Sequence, residues 1–87
     1  MNEERKIRLV LVDDHQLMLD GLKSLLGEQE DFDILGGAAS AEEALKQLRN
    51  KSVDVLLADI HLPGMSGIEL AAKVTSDFPD VKVLALT

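Results

Sequence analysis

Hydrophobic residues along the chain gather in short runs separated by longer stretches of mixed polarity. Three runs stand out, Ile7 to Val12, Val53 to Ala58 and Val81 to Leu86, each rich in Val, Ile and Leu and too short for a typical helix. They read as β-strands. Their near-continuous hydrophobicity, in place of strict alternation, predicts strands covered on both faces, the habit of a parallel sheet between helices. A weaker run, Phe32 to Ala39, contains Gly36 and Gly37 and is expected at or near a sheet edge.

The intervening stretches have helical spacing. In the first, Met18, Leu22, Leu25 and Leu26 share one side while Asp20, Lys23 and Ser24 turn away, with Gly27 as a stop. The second opens on Ser40 with Glu43 three residues later, a capping-box pattern, and then buries Ala44, Leu45 and Leu48. The third follows the turn-rich Pro63-Gly64-Met65-Ser66-Gly67, with Ser66 as cap, Ile68, Ala71, Ala72 and Val74 as its inner face and Pro79 beyond its end. Strands and helices therefore alternate. Right-handed crossovers turn that order into a doubly wound α/β sheet with helices on both faces. In such sheets functional groups collect where strands end and the crossover loops begin, at the point of reversal in strand order.

Composition narrows the reading. A chain of 87 residues has room for one domain, spanning 1–87. Its 46% apolar and 29% charged residues fit a folded domain and not a disordered tail. Cysteine is absent, which removes disulfides and thiolate metal sites. The apolar runs fall far short of a membrane span, and the charged Met1-Asn2-Glu3-Glu4-Arg5-Lys6 opening lacks a signal-peptide pattern, so a cytoplasmic location with no membrane partner is expected. A net charge of -7 works against direct binding to nucleic acid, and any contact with DNA is expected of another segment.

The acids carry the candidate chemistry. Asp13 and Asp14 follow the first strand and Asp59 follows the third, so all three emerge on one edge of the sheet. Each alone reads as an ordinary strand-terminating or helix-capping residue. Together they would repel one another and raise at least one pKa unless a cation compensates, and hard carboxylate oxygens suit Mg²⁺. His15 and His61 flank the acids but form no zinc spacing. Pro63, Gly64 and Gly67 shape the loop beside Asp59.

The segments Leu11-Val12-Asp13-Asp14-His15, Leu57-Ala58-Asp59-Ile60-His61-Leu62-Pro63-Gly64-Met65-Ser66-Gly67 and Leu84-Ala85-Leu86-Thr87 closely resemble the response regulator receiver family of two-component signalling. The Asp-Asp-His form is similar to the LuxR/FixJ-type subfamily, whose members carry a C-terminal helix-turn-helix. The resemblance implies a flavodoxin-like sheet of order 2-1-3-4. It covers all 87 residues and stops before the family's last helix, strand and helix, so a truncated piece of a DNA-binding response regulator is expected. It further implies that Asp59 accepts a phosphoryl group from a sensor histidine kinase. Asp13, Asp14, Asp59 and the backbone carbonyl of His61 would hold Mg²⁺, and Thr87 would be the switch hydroxyl. Such a protein takes up one phosphoryl group and is not an enzyme. The family's Lys at the end of strand five has no counterpart, which implies poorer phosphotransfer.

Two other functions share the acids. A small Mg²⁺-dependent phosphatase would use Asp59 as nucleophile but needs a second acid two residues later, where His61 stands. An interaction module that is never phosphorylated is the other. Finally, an uncovered Val81 to Leu86 and a partly bare first helix predict self-association through one or the other.

Overall fold

The computed structural model describes residues 6–62 and 64–86. In chain order the elements are β1 (Ile7–Val12), α1 (Gln16–Gly27), β2 (Phe32–Ala38), α2 (Ala41–Asn50), β3 (Val55–Asp59), α3 (Gly67–Asp77) and β4 (Lys82–Leu86). All strand pairs are parallel and the sheet order is β2-β1-β3-β4, the doubly wound, flavodoxin-like arrangement expected. No described helix is long and apolar enough to cross a membrane.

β1 is central, and Leu9 to Val12 are buried on both of its faces. Successive side chains alternate between those faces. Val10 and Val12 join Leu56, Ala58, Ala44, Leu45, Leu48, Leu70 and Val74 in the main core beneath α2 and α3. The opposite face, crossed by α1, holds Leu9, Leu11 and Leu19. Full burial of a leucine such as Leu56 or Leu70 contributes about 1.5 to 3 kcal/mol.

Helix starts follow their caps. The Ser66 hydroxyl accepts from the Glu69 N–H while the Glu69 carboxylate accepts from the Ser66 N–H, a complete capping box. At α2 the Ser40 hydroxyl accepts from the Glu43 N–H, but the Glu43 carboxylate takes the Ala39 N–H in place of that of Ser40.

Three expectations need correction. In α1 the buried residue is Leu19, with Leu22, Lys23 and Leu26 half-buried on the same stripe, whereas Met18 and Leu25 face solvent. Lys23 is not turned away, because its stem lies over Gly37 of β2. In α3 the inner face is Gly67, Leu70 and Val74, and Ile68 and Ala72 are exposed. β4 is not covered on both faces: Val83 packs on the core, while Leu84 and Ala85 are exposed.

Strand bounds also move at four places, with β3 ending at Asp59 and β4 beginning at Lys82 among them. β2 ends at Ala38, and β3 begins at Val55, after a clamp at Asp54. There the Arg8 N–H donates to Asp54 Oδ2 at 2.8 Å, and the guanidinium donates to both carboxylate oxygens at 3.2 and 3.3 Å. The Asp54 N–H returns a bond to the Arg8 carbonyl at 2.9 Å. The clamp fixes the register of β1 against β3 and thereby which residues leave the far end of the sheet together.

Candidate functional site

That far end is where Asp13 and Asp59 stand. The Asp13 N–H donates to the Ala38 carbonyl at 3.0 Å, carrying the β1–β2 ladder one residue past β1. Held this way, Asp13 is 5% exposed and is the one buried charged residue among those described. Asp59 is the last residue of β3, half-buried, in register with Leu86 of β4. Asp14 is more open.

A repeated local fold sets the carboxylates. Asp13 Oδ1 accepts the N–H of His15 at 2.9 Å, and Asp59 Oδ1 accepts the N–H of His61 at 3.0 Å. In both cases an aspartate at a strand end folds back onto the residue two positions on, the side-chain turn that favours Asp at such places. The β3–α3 loop is equally constrained. Gly64 has φ of 81°, a left-handed conformation that glycine adopts without strain. The Gly67 N–H donates to the Ile60 carbonyl at 3.1 Å, and a Cβ at Gly67 would sit 2.5 Å from Ile60 Cα and 2.6 Å from the Asp59 carbonyl oxygen. Glycine is required there for α3 to start against the backbone of Asp59.

The result is a tight polar cluster. One ligand atom each from Asp13, Asp14, His15 and Asp59 all lie within 4.8 Å of one another. His15 Nδ1 is 2.8 Å from Asp13 Oδ1 and 3.1 Å from Asp14 Oδ1. The hydrogen bond to Asp13, then the charges of Asp14 and Asp13, hold the imidazole pKa above its usual 6.5. The sequence reading does not count His15 among the site residues, yet the fold places its imidazole against the carboxylates of both Asp13 and Asp14. The signal was present in the Asp-Asp-His run, since a residue two positions after a turn-forming Asp is brought back onto it.

Beside the cluster lies a hollow of about 410 Å³ lined by Asp13, His15, Met18, Leu22, Asp59, His61 and Leu86. The acids sit at its polar end and α1 and β4 supply its apolar wall. His61 is exposed here, with its N–H committed to Asp59. Thr87 and Pro63 lie outside the described residues. Asp13, Asp14 and Asp59 are thus brought together as expected, by two strands that are neighbours in the sheet though distant in sequence.

Known proteins are similar to this chain in sequence and fold. The response regulator receiver domain family matches residues 9–87. The chain is 40% identical over 81 residues to the response regulator GacA of Pseudomonas viridiflava, covering 93% of this chain and 38% of GacA. It is 37% identical over 90 residues to the transcriptional regulatory protein DegU of Brevibacillus brevis, covering 100% of this chain and 38% of DegU. The chain therefore spans less than two-fifths of the length of these curated relatives. Among solved structures, the signal receiver domain of the response regulator NarL from Mycobacterium tuberculosis superposes with a TM-score of 0.88 at 33% identity, over 94% of this chain and 66% of that one. The Salmonella typhimurium RcsB response regulator shares the fold, with a TM-score of 0.90 at 24% identity over 97% of this chain and 44% of that one. A match that begins within the central strand and runs to the last residue, supported at this identity and by the same fold, makes the chain a member of the response regulator receiver domain family.

Proposed function

We propose that the chain, as a receiver domain over residues 1–87, takes a phosphoryl group from the phosphohistidine of a sensor histidine kinase onto Asp59. The observation that carries this reading is the convergence of Asp13, Asp14 and Asp59 at the ends of two adjacent parallel strands. The donor set fits Mg²⁺. Its members are hard carboxylate oxygens, and the excess negative charge already draws His15 into contact. The residues that would hold the ion are Asp13, Asp14, Asp59 and, through its backbone carbonyl, His61. Bound there, Mg²⁺ would supply positive charge to offset that on the transferred phosphoryl oxygens.

The chain's own residues do the rest. A carboxylate oxygen of Asp59 attacks phosphorus, forming a P–O bond as the P–N bond to the kinase histidine breaks and the electron pair leaves on the imidazole. The backbone bonds from His61 to Asp59 and from Gly67 to Ile60 keep the carboxylate from swinging away during attack. Thr87 donates its hydroxyl to the new phosphate and draws its loop with it. One phosphoryl group is kept per chain, so the domain acts as a signal acceptor and not as an enzyme. In a longer cytoplasmic protein of the LuxR/FixJ type the altered surface would control a C-terminal DNA-binding domain, in line with DegU being a transcriptional regulatory protein.

Intact-mass measurement after incubation with Mg²⁺ and a small-molecule phosphodonor tests the assignment. Uptake of at most one phosphoryl group per chain, slowed by the missing Lys, is expected for the native sequence and none for Asp59→Asn. Continuous release of inorganic phosphate from a phosphate ester would instead favour the phosphatase. Absence of both uptake and Mg²⁺ binding would leave an interaction module.

A further inference from the structure

The His15 imidazole stands where a cation shared by Asp13 and Asp14 would have to enter. Its Nδ1 lies 2.8 Å from Asp13 Oδ1 and 3.1 Å from Asp14 Oδ1. Ionised carboxylates only accept, so Nδ1 carries hydrogen and donates to them. Asp13 Oδ1 also accepts the backbone N–H of His15 at 2.9 Å. A carboxylate oxygen offers about two lone-pair sites, so Asp13 Oδ1 is filled from within the chain. All of these contacts lie at the β1–α1 junction, and β1 is paired on both sides, so they do not depend on what borders the sheet.

A cation bonded to both oxygens has to take over one of those positions. Mg²⁺ is bonded by oxygen donors at about 2.0 to 2.1 Å, and an Nδ1 that carries hydrogen has no lone pair to offer it. The ring therefore cannot keep both contacts and share the ion. The two donors on Asp13 Oδ1 differ in freedom. The backbone N–H is fixed by the side-chain turn of Asp13, whose own N–H is tied to the Ala38 carbonyl at 3.0 Å. The ring has 70% of its side-chain surface exposed and turns about its own side-chain bonds. Although His15 is the N-cap of α1, its side chain makes no cap hydrogen bond, and among the described residues its ring is held by the two carboxylates.

We infer, on the reading that Mg²⁺ loads this cluster, that His15 is a placeholder which the ion displaces, so that His15 sets how readily the site takes the metal. Without the ion the ring bridges Asp13 and Asp14 and keeps both carboxylates together. When the ion enters, the ring swings into solvent, and the contacts it gives up lower Mg²⁺ affinity. For an exposed pair that corresponds to about two- to fivefold.

Isothermal titration of Mg²⁺ into the native 87-residue chain, His15→Phe and His15→Ala tests this. His15→Phe keeps a ring without the donor, and His15→Ala removes the ring altogether. Both variants should keep the native circular dichroism spectrum and bind Mg²⁺ about two- to fivefold more tightly. Nitrogen NMR of the native ring should show Nδ1 moving to the shift of a solvent-exposed imidazole with the same midpoint as the Asp13 amide. Equal affinity in all three chains, weaker binding in the variants, or a ring nitrogen that stays unmoved or takes the shift of a metal ligand would overturn the inference and leave Mg²⁺ loading intact. No binding by any of the three chains would overturn the loading itself, and the inference with it.

Discussion

At the N-terminal end of the sheet one carboxylate meets one guanidinium, and at the C-terminal end three carboxylates surround one imidazole. The Asp54 carboxylate is matched in charge by Arg8 and accepts three hydrogen bonds from it, with a fourth running from the Asp54 N–H to the Arg8 carbonyl. Asp13, Asp14 and Asp59 crowd together, and His15 offsets one charge only while protonated. The first arrangement pairs opposite charges and ties β1 to the start of β3. The second is held in place by backbone contacts at His15, His61 and Gly67 and keeps unbalanced negative charge. Aspartates at both ends look alike in sequence, and what separates a structural acid from a functional one is whether its own neighbours neutralise it.

Substitutions at the two ends should therefore read out on different scales. The largest effect is expected from Asp59→Asn, with complete loss of phosphoryl uptake by intact mass and little change in stability. Asp13→Ala should weaken Mg²⁺ binding by about tenfold or more in isothermal titration, since the ion loses a charged oxygen donor. Gly67→Ala forces a methyl group into the backbone of Asp59 and Ile60. It should cost about 1 to 3 kcal/mol in urea unfolding and weaken Mg²⁺ binding as well, because the obstructed atoms belong to the site. Arg8→Ala should cost only about 0.5 to 1 kcal/mol, the pair being partly solvated, and leave Mg²⁺ affinity unchanged. A loss of Mg²⁺ binding in Arg8→Ala equal to that in Asp13→Ala would erase the contrast between the ends.

The smallest effect concerns pH. His15 has a folded-state pKa above 6.5, so the folded state binds its proton more tightly than the unfolded chain does. Its contribution to stability is fully present below 6.5, while the acids stay ionised, and is lost as pH rises through the folded value. Urea unfolding of the native chain and of His15→Gln should differ slightly at the acidic end of that window and converge above it. A proton NMR titration of the His15 ring should give a midpoint above 6.5.

Much of this was legible in the sequence, and the misses share a cause. β1 was read with its correct bounds because both of its faces are buried and every residue from Leu9 to Val12 is apolar. The carboxylate cluster followed from strand ends and topology alone. The inner face of α1 did not, because Leu17, Met18, Leu19, Leu22, Leu25 and Leu26 spread over about half of the helix circumference, wider than the buried stripe, and periodicity cannot choose among them; contact with β1 and β2 chose Leu19. In α3 the close approach at Gly67 rotates Leu70 and Val74 inward and Ile68 outward. β4 has the composition of a doubly covered strand, and only its place at the margin of the described sheet reveals the exposure of Leu84. His15 was passed over because metal-site spacing was the wrong template for a residue that acts as a counter-charge.

The contrast between the two ends is tested most directly by following backbone amide resonances during a Mg²⁺ titration of the native chain. Shifts that saturate together at Asp13, Asp14, His15, Asp59 and His61, with Arg8 and Asp54 unmoved, are the predicted result. Shifts centred on Asp54, or none at the acid cluster at saturating Mg²⁺, would contradict it.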